Sequence, residues 1–592
     1  MTEHPPPRWW YPLSAAVLLG ITSGSVHAAL TWGRRVLLDR FTWTSRDLAW
    51  MAPLGDVALF LGPAVVCAVA IAVGWRRGAR VVTLFTLGAL AATSVALHLT
   101  GLHPLATAAL GLGAGVRLAQ WGGRSPGRAA TWGRRAATLS LVGVLVLIVA
   151  ERRPGSSAAP AAAGRPNVLV LIWDTVRAAS TSLHGYDRPT TPALQAMASE
   201  GTTFATAISP SSWTLPSHGS MFTGVESARL SASWRRPLDA AQPSVAEVLR
   251  DEGYRTGAFV GNLFYTHHES GVDRGFTTLH DFRRSPRQLF WSTALGQTRL
   301  LTRLAWARSP GEWWTHLREF ELRLPAEARS DRRRASEITS EFLDWQAEST
   351  TPFFAFLNLY DAHDPYDAPE GYDSLFARPQ APRDAYDAGI RYMDDELRRV
   401  LQVLRERGVL DQTLVVVTSD HGEQWGEHGL HNHGNSLYLP VIHVPLVMRL
   451  PGVVPAGARH DAPVSLTDLA STLLAVTGTT RATLPGRSLL AGGRGVVIAE
   501  TEALDPSARA RSPAEHGALA TIVRDSLQYL RNGDSTYQLF DIGRDPAQAH
   551  DLTGTAAGCV AAVALDSILR AHAAMPRTPA FGMARCTAVA GS

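Results

Sequence analysis

Residues 167–174 read NVLVLIWD, a run of branched and large apolar side chains closed by a carboxylate. No polar position alternates with the apolar ones, so the run fits a strand covered on both faces rather than one with a wet side. Two later stretches repeat the pattern, FFAFLNLYD at 353–361 and TLVVVTSDH at 413–421. Helical patterns separate them, at 192–200 and at 385–407, where Ile390, Met393, Leu397, Val400, Leu401 and Leu404 recur at helical spacing. Strands alternating with helices predict an α/β domain, a mostly parallel sheet between helices. Ligands of such sheets bind beyond the carboxyl ends of the strands. The three runs therefore deliver Asp174, Asp361 with His363, and Asp420 with His421 toward one edge.

Two carboxylates and an imidazole suit a divalent cation, and a hydroxyl beside such a cation loses its proton far more easily than a free one. Asp174 taken alone is better read as a helix N-cap after a strand. The group as a whole is harder to dismiss, because Asp420 and His421 adjoin at a strand end and the loop that follows carries His428, His431 and His433.

Outward from this region the chain changes character. Of its 592 residues, 46% are hydrophobic and 18% charged, and the apolar ones crowd into the first quarter. Stretches at 13–30, 49–75 and 81–99 approach or exceed the ~18 residues of a bilayer-spanning helix. Those at 103–118 and 136–150 are shorter or Gly-rich, so four or five spans are expected, with five favoured. All 56 basic residues are arginine, and many stand between the apolar stretches, which argues for membrane-flanking loops and not for nucleic acid. With five spans, eight arginines fall on the side of Arg8 and six on the side of Arg152. The bias puts the N-terminus in the cytoplasm and everything after residue 150 outside, in a multi-pass protein of the inner or plasma membrane with no cleavable signal peptide. Residues 151–166, rich in Pro, Ala and Gly, read as a tether. Cys67, Cys559 and Cys586 are too few for a thiolate zinc site. A Cys559–Cys586 bridge outside the cytoplasm and a pair of buried thiols both remain open.

Several segments together resemble the sulfatase branch of the alkaline phosphatase superfamily: NVLVLIWDTVRA at 167–178, SSWTLPSHGSMFTG at 211–224, YDAHDPY at 360–366, TSDHGEQWGEHGLHNHG at 418–434 and LFDIGRDPAQAHDL at 539–552. They stand in the family's order across the soluble part. The resemblance implies an alkaline phosphatase-like sheet, a catalytic domain over 167–480 with an insertion around 283–335, and a C-terminal subdomain and tail over 481–592. A hairpin-like stretch at 521–540 turns at Asn532-Gly533. The Trp- and Arg-rich insertion suits a membrane surface, a roof over the active site or ordinary packing.

Carried over position by position, Asp174, Thr214, Asp420 and His421 match the family's metal site, with zinc or manganese favoured over calcium or magnesium. Thr214 occupies the nucleophile position that sulfatases fill with a Cys or Ser oxidised to formylglycine, which threonine, with its β-methyl, cannot form. His218 replaces the neighbouring arginine as a candidate contact to the substrate's anionic oxygens, and no lysine exists to hold a sulfate. The resemblance thus turns toward membrane-anchored phosphoryl transferases with a Thr nucleophile. His363 and His433 match histidines that hold the transferred group, protonate the leaving group or bind a second metal, which Asp361 could join. Glu423, His428 and His431 are expected to shape the loop. The implied activity is phosphoryl transfer on a phosphodiester or phospholipid head group, the substrate being a lipid or envelope glycan. A sulfuric ester hydrolase and a non-catalytic binding protein are the alternatives.

Overall fold

The computed structural model describes residues 7–38, 41–75, 78–99, 103–150, 159–161, 164–297, 333–366, 368–372, 374–376, 382–480, 482–492, 495–504 and 512–572. The chain divides into two compact units, one made of residues 1–153 and 282–331, the other of 154–281 and 332–592.

The first unit is helical: α1 (Tyr11–Leu38), α2 (Leu48–Ala72), α3 (Ala79–Ala96), α4 (Pro104–Arg124) and α5 (Pro126–Ala150). Four of them, α1, α2, α3 and α5, are long and apolar enough to cross a membrane. The fourth helix, the expected extra span, carries Arg117 and Arg124 and falls short. Val65, Val66 and Val69 on α2 and Leu139, Val142 and Val146 on α5 are exposed, as lipid-facing side chains would be. Most of the tether at 151–166 lies outside the described residues.

The second unit is built on a sheet of β1 (Asn167–Trp173), β2 (Thr202–Phe204), β4 (Arg255–Val260), β5 (Thr278–His280), β6 (Phe353–Leu359), β7 (Thr413–Thr418), β11 (Leu446–Arg449) and β12 (Ala458–His460), in the order β12-β2-β11-β7-β1-β6-β4-β5. Only β11 runs against its neighbours. Short pairings join β3 (Ala207–Ile208) to β10 (His443–Val444) and β13 (Val464–Ser465), and β8 (Gln424–Trp425) to β9 (His431–Asn432). The mostly parallel α/β sheet is the one expected, and β1, β6 and β7 coincide with the three apolar runs.

Side chains of successive strand residues point to opposite faces. Leu169, Leu171 and Trp173 of β1 pack on α6 (Pro192–Ser199) and on the helices Ala335–Ala347 and Pro382–Glu406. The opposite face receives Phe222 of α7 (Thr214–Thr223), whose ring lies 5.0 Å from that of Phe356. All six apolar residues read on the helical pattern at 385–407 are buried.

A second sheet, β14 (Val496–Thr501), β15 (Leu519–Arg524), β16 (Leu527–Arg531) and β17 (Tyr537–Asp541), is antiparallel throughout. The stretch at 521–540 thus holds three strands, with Asn532-Gly533 between the last two. Helix Ala556–His572 covers this sheet; its Cys559 is buried and disulfide-bonded, while Cys586 lies outside the described residues. After β5 the chain passes to the helical unit, where α9 (Pro286–Trp291), which follows α8 (Val245–Asp251) in the chain, packs on α2. The carbonyl of Leu289 lies so near Gly55 that an added Cβ would sit 2.5 Å from it. The first part of the insertion therefore packs within the helical unit, and residues 298–332 lie outside the described residues.

Candidate active site

Asp174 follows β1 directly, and its amide donates to the Leu359 carbonyl at 2.9 Å. Its Oδ2 accepts from Asn262 Nδ2 at 2.9 Å and from Asn358 Nδ2 at 3.2 Å, while Oδ1 is buried with no partner. Asp420 follows β7 by two residues. Its Oδ1 accepts the amides of Thr175 and His421 at 3.2 and 2.9 Å, and its Oδ2 is likewise buried and unmatched. Thr175 holds its amide in place at a φ of 64°, a left-handed backbone that costs a β-branched residue about 1–3 kcal/mol.

His421 donates Nδ1–H to the Gly422 carbonyl at 3.1 Å, which leaves the lone pair on Nε2. That nitrogen stands 3.1 Å from Thr214 Oγ1, at the first position of α7. Ligand atoms of Asp174, Asp420 and His421 all lie within 4.8 Å of one another. Burial pushes both carboxyls up to about 7, Asp174 further through the charge of Asp420, and pulls His421 down to about 4. Two unmatched carboxylate oxygens and one imidazole lone pair around a hydroxyl form a donor set that a divalent cation fits.

The loop carrying Thr214 is held from two sides. Ser209 and Ser217 hydroxyls donate to the Asp420 carbonyl, the latter at 2.7 Å. From β14, Thr501 Oγ1 lies 2.9 Å from Ser212 Oγ and 3.2 Å from Ser211 Oγ, and the Glu500 amide donates to the Pro210 carbonyl at 2.9 Å.

Two histidines complete the edge. The His433 ring lies 4.3 Å from that of His421, 5.1 Å from that of His363 and 5.3 Å from that of Trp213. Burial lowers His433 to about 4. His363 is partly exposed and stacked on Tyr360 at 4.3 Å.

The geometry places two further expected residues. His218 is fully buried between Phe222 and Phe356; its Nδ1 donates to the Thr214 carbonyl at 2.8 Å and lies 3.7 Å from Asp420 Oδ2. It backs the first turn of α7 and the Asp420 carboxylate, and its Nε2 is buried without a hydrogen-bond partner. Asp361 turns to the helix Ala335–Ala347, accepting the Ala335 amide at 2.9 Å with Arg334 Nη1 at 3.5 Å. It does not gather with His363 and His433 into a metal-holding group. His428 stacks on Tyr438 at 3.7 Å, and His431 is exposed.

Sequence reading missed Asn262 and Asn358, which steady Asp174, and gave Glu423 too small a part. Its carboxylate contacts His433 Nδ1 at 3.1 Å. Asn358 had a signal, being the one amide in the otherwise apolar run FFAFLNL. Asn262, in a loop, had none.

Residues 166–479 match the Sulfatase family profile, more than half of the chain. The chain is 24% identical over 442 residues to "Uncharacterized sulfatase YidJ" of Escherichia coli (strain K12), covering 66% of this chain and 83% of that one. It is 25% identical over 458 residues to the choline-sulfatase of Rhizobium meliloti (strain 1021), covering 67% and 84%. Its fold is similar to that of the phosphonate monoester hydrolase of Agrobacterium radiobacter, with a TM-score of 0.53 and 21% identity over 69% of this chain and 95% of that one. With the sheet, the donor set at its strand ends and the family match in agreement, the chain belongs to the sulfatase family, the alkaline phosphatase-like enzymes that hydrolyse sulfuric or phosphoric esters with a metal.

Proposed function

We propose that this sulfatase-family enzyme is a phosphoryl transferase or phosphodiesterase of a membrane, acting on a phosphodiester or phospholipid head group from lipid or envelope glycan. One observation carries the reading: Thr214 stands where the family's formylglycine precursor belongs, with its hydroxyl 3.1 Å from His421 Nε2. Threonine cannot become the aldehyde, yet its hydroxyl remains a nucleophile.

Asp174, Asp420 and His421 would hold the divalent cation with Thr214 beside it, and bound there it supplies the positive charge that makes the threonine hydroxyl acidic. Thr214 Oγ then bonds to phosphorus in line with the breaking bond to the leaving oxygen, giving a phosphothreonine. His433 or His363 supplies the proton that the leaving alcohol takes. The amides of the first turn of α7 offset charge on the non-bridging oxygens. Water or an acceptor hydroxyl resolves the phosphothreonine, with proton movements reversed. His218 donates to the Thr214 carbonyl and so keeps that first turn in register.

Placement outside the cytoplasm is supported by the arginine bias of the loops and by the disulfide at Cys559, a bond of oxidising compartments. The sulfuric ester reading draws its support from the names of the relatives. Assays of the full-length protein and its Thr214→Ala and Thr214→Ser variants on aryl phosphodiester, phosphomonoester and sulfate ester decide between the two. Phosphodiester turnover that Ser retains and Ala abolishes is the expected result. Preferred sulfate turnover by Thr214→Ala would overturn the proposal.

A further inference from the structure

Glu423 lies two residues beyond His421, and its side chain is fully buried. One carboxylate oxygen, Oε1, lies 3.1 Å from His433 Nδ1; the other, Oε2, accepts the Tyr366 hydroxyl at 3.1 Å. The guanidinium of Arg177 contacts only the backbone carbonyl of Glu423, at 3.2 Å, and pairs with the Glu427 carboxylate at 2.5 Å. The Glu423 carboxyl therefore has two side-chain partners of different kinds. The phenol steadies it, and the imidazole can share a proton with it. With Nδ1 engaged, Nε2 is the His433 nitrogen left to meet a substrate, on a ring 4.3 Å from that of His421 and tilted 33° to it.

We propose that Glu423 is a positioning residue for His433, fixing the ring and its proton so that Nε2 protonates the leaving oxygen during attack by Thr214. This rests on the phosphoryl-transfer reading above. In the step, Thr214 enters as the alkoxide, its proton already released to water; the Thr214 Oγ–P bond forms, the bond from phosphorus to the leaving oxygen breaks, and the proton on His433 Nε2 goes to that oxygen. The hydrogen bond between Glu423 Oε1 and His433 Nδ1, 3.1 Å long, holds the ring in place while the Nε2 proton leaves with the alcohol. A glutamine at 423 keeps the shape and a hydrogen-bonding oxygen but cannot share the proton, which separates this role from mere packing.

The experiment uses full-length protein with added zinc or manganese and a series of aryl phosphodiesters running from 4-nitrophenyl to unsubstituted phenyl leaving groups. Glu423→Gln is expected to lower kcat/KM by about 100-fold for phenyl, which needs the proton, and by under about 10-fold for 4-nitrophenyl, which leaves as the anion. In a His433→Ala background the same substitution should cost nothing more, since residues acting as one unit are not additive. Equal losses across the series, or full additivity with His433→Ala, would overturn the proposal. If Glu423→Gln does not fold, Tyr366→Phe removes only the steadying hydroxyl: a steeper leaving-group dependence supports the role, and an unchanged one overturns it. Thr214→Ala in parallel keeps the two claims apart. Turnover without Thr214 fails the transfer reading, whereas a flat leaving-group response with Thr214 essential fails only the role of Glu423.

Discussion

Asp174 and Asp420 each satisfy one carboxylate oxygen and leave the other buried and unmatched, an arrangement that is costly without a cation. Its consequence for stability has a definite sign. Each carboxyl titrates near 3.8 ordinarily and is pushed up to about 7 by burial. Between those values the folded chain holds protons that the unfolded chain has released, so folding stability is fully present at low pH and falls as pH rises toward 7. The share of metal-free stability that these two carboxyls carry should therefore be lost between about pH 4 and pH 7, offset in part up to about pH 6.5 by His421 and His433, which burial holds down to about 4, and added zinc or manganese should remove most of the carboxyls' loss. Melting curves with and without chelator read this directly, and a Tm that metal leaves unchanged across that range would count against the donor set. Replacing Asp174 by Asn should flatten the metal-free curve and lower metal occupancy together, because one substitution removes both the unmatched charge and a ligand.

At the scale of elements, the loop that carries Thr214 is not self-supporting. Thr501, at the end of β14, places its hydroxyl 2.9 Å from Ser212 Oγ and 3.3 Å from the Ser212 amide, two residues before Thr214. Thr501→Val keeps the shape and removes these contacts; kcat is expected to fall on the order of 10-fold with metal content unchanged, a displacement effect at the attacking oxygen. Loss of bound metal in that variant would mean that β14 supports the donor set as well. Asp361→Ala should cost about 1 kcal/mol at the start of helix Ala335–Ala347 and leave metal stoichiometry alone, as a cap does and a ligand does not. Strands β1, β6 and β7 were legible because full burial writes itself into a sequence as an unbroken apolar run. The reversed direction of β11 was not, since LVMR is equally apolar whichever way its hydrogen bonds run. Asp361 and His363 show the same limit at the strand end. Two residues apart, they would share a face on a strand, but past Leu359 that alternation lapses, and one carboxylate turns to a helix while the imidazole stays beside His433.

The whole chain is threaded so that the helical unit is assembled from two separate stretches, 1–153 and 282–331. Cutting at the tether, the natural place to release a soluble catalytic part, therefore leaves a piece of the helical unit behind. In the intact chain Trp291 is buried, Leu295 packs beside the cluster of Ala15, Phe60 and Leu87, and Ser292 Oγ meets Met51 Sδ at 3.7 Å. Arg284 pairs with Asp47 at 2.8 Å. All of these partners belong to the stretch that the cut removes, so Phe290, Trp291 and Leu295 would be exposed together on one short segment, an apolar patch of the kind that drives association. A fragment of residues 154–592 is thus expected to aggregate or to require detergent. The same fragment with 282–331 replaced by a short Gly/Ser linker is expected to run as a single species in size-exclusion chromatography without detergent, because both ends of the excised segment belong to the catalytic unit and close a loop at modest entropic cost. A monodisperse, detergent-free 154–592 fragment would show that the inserted segment can fold back without its helices, and the two-stretch construction of the helical unit would then be incidental to solubility.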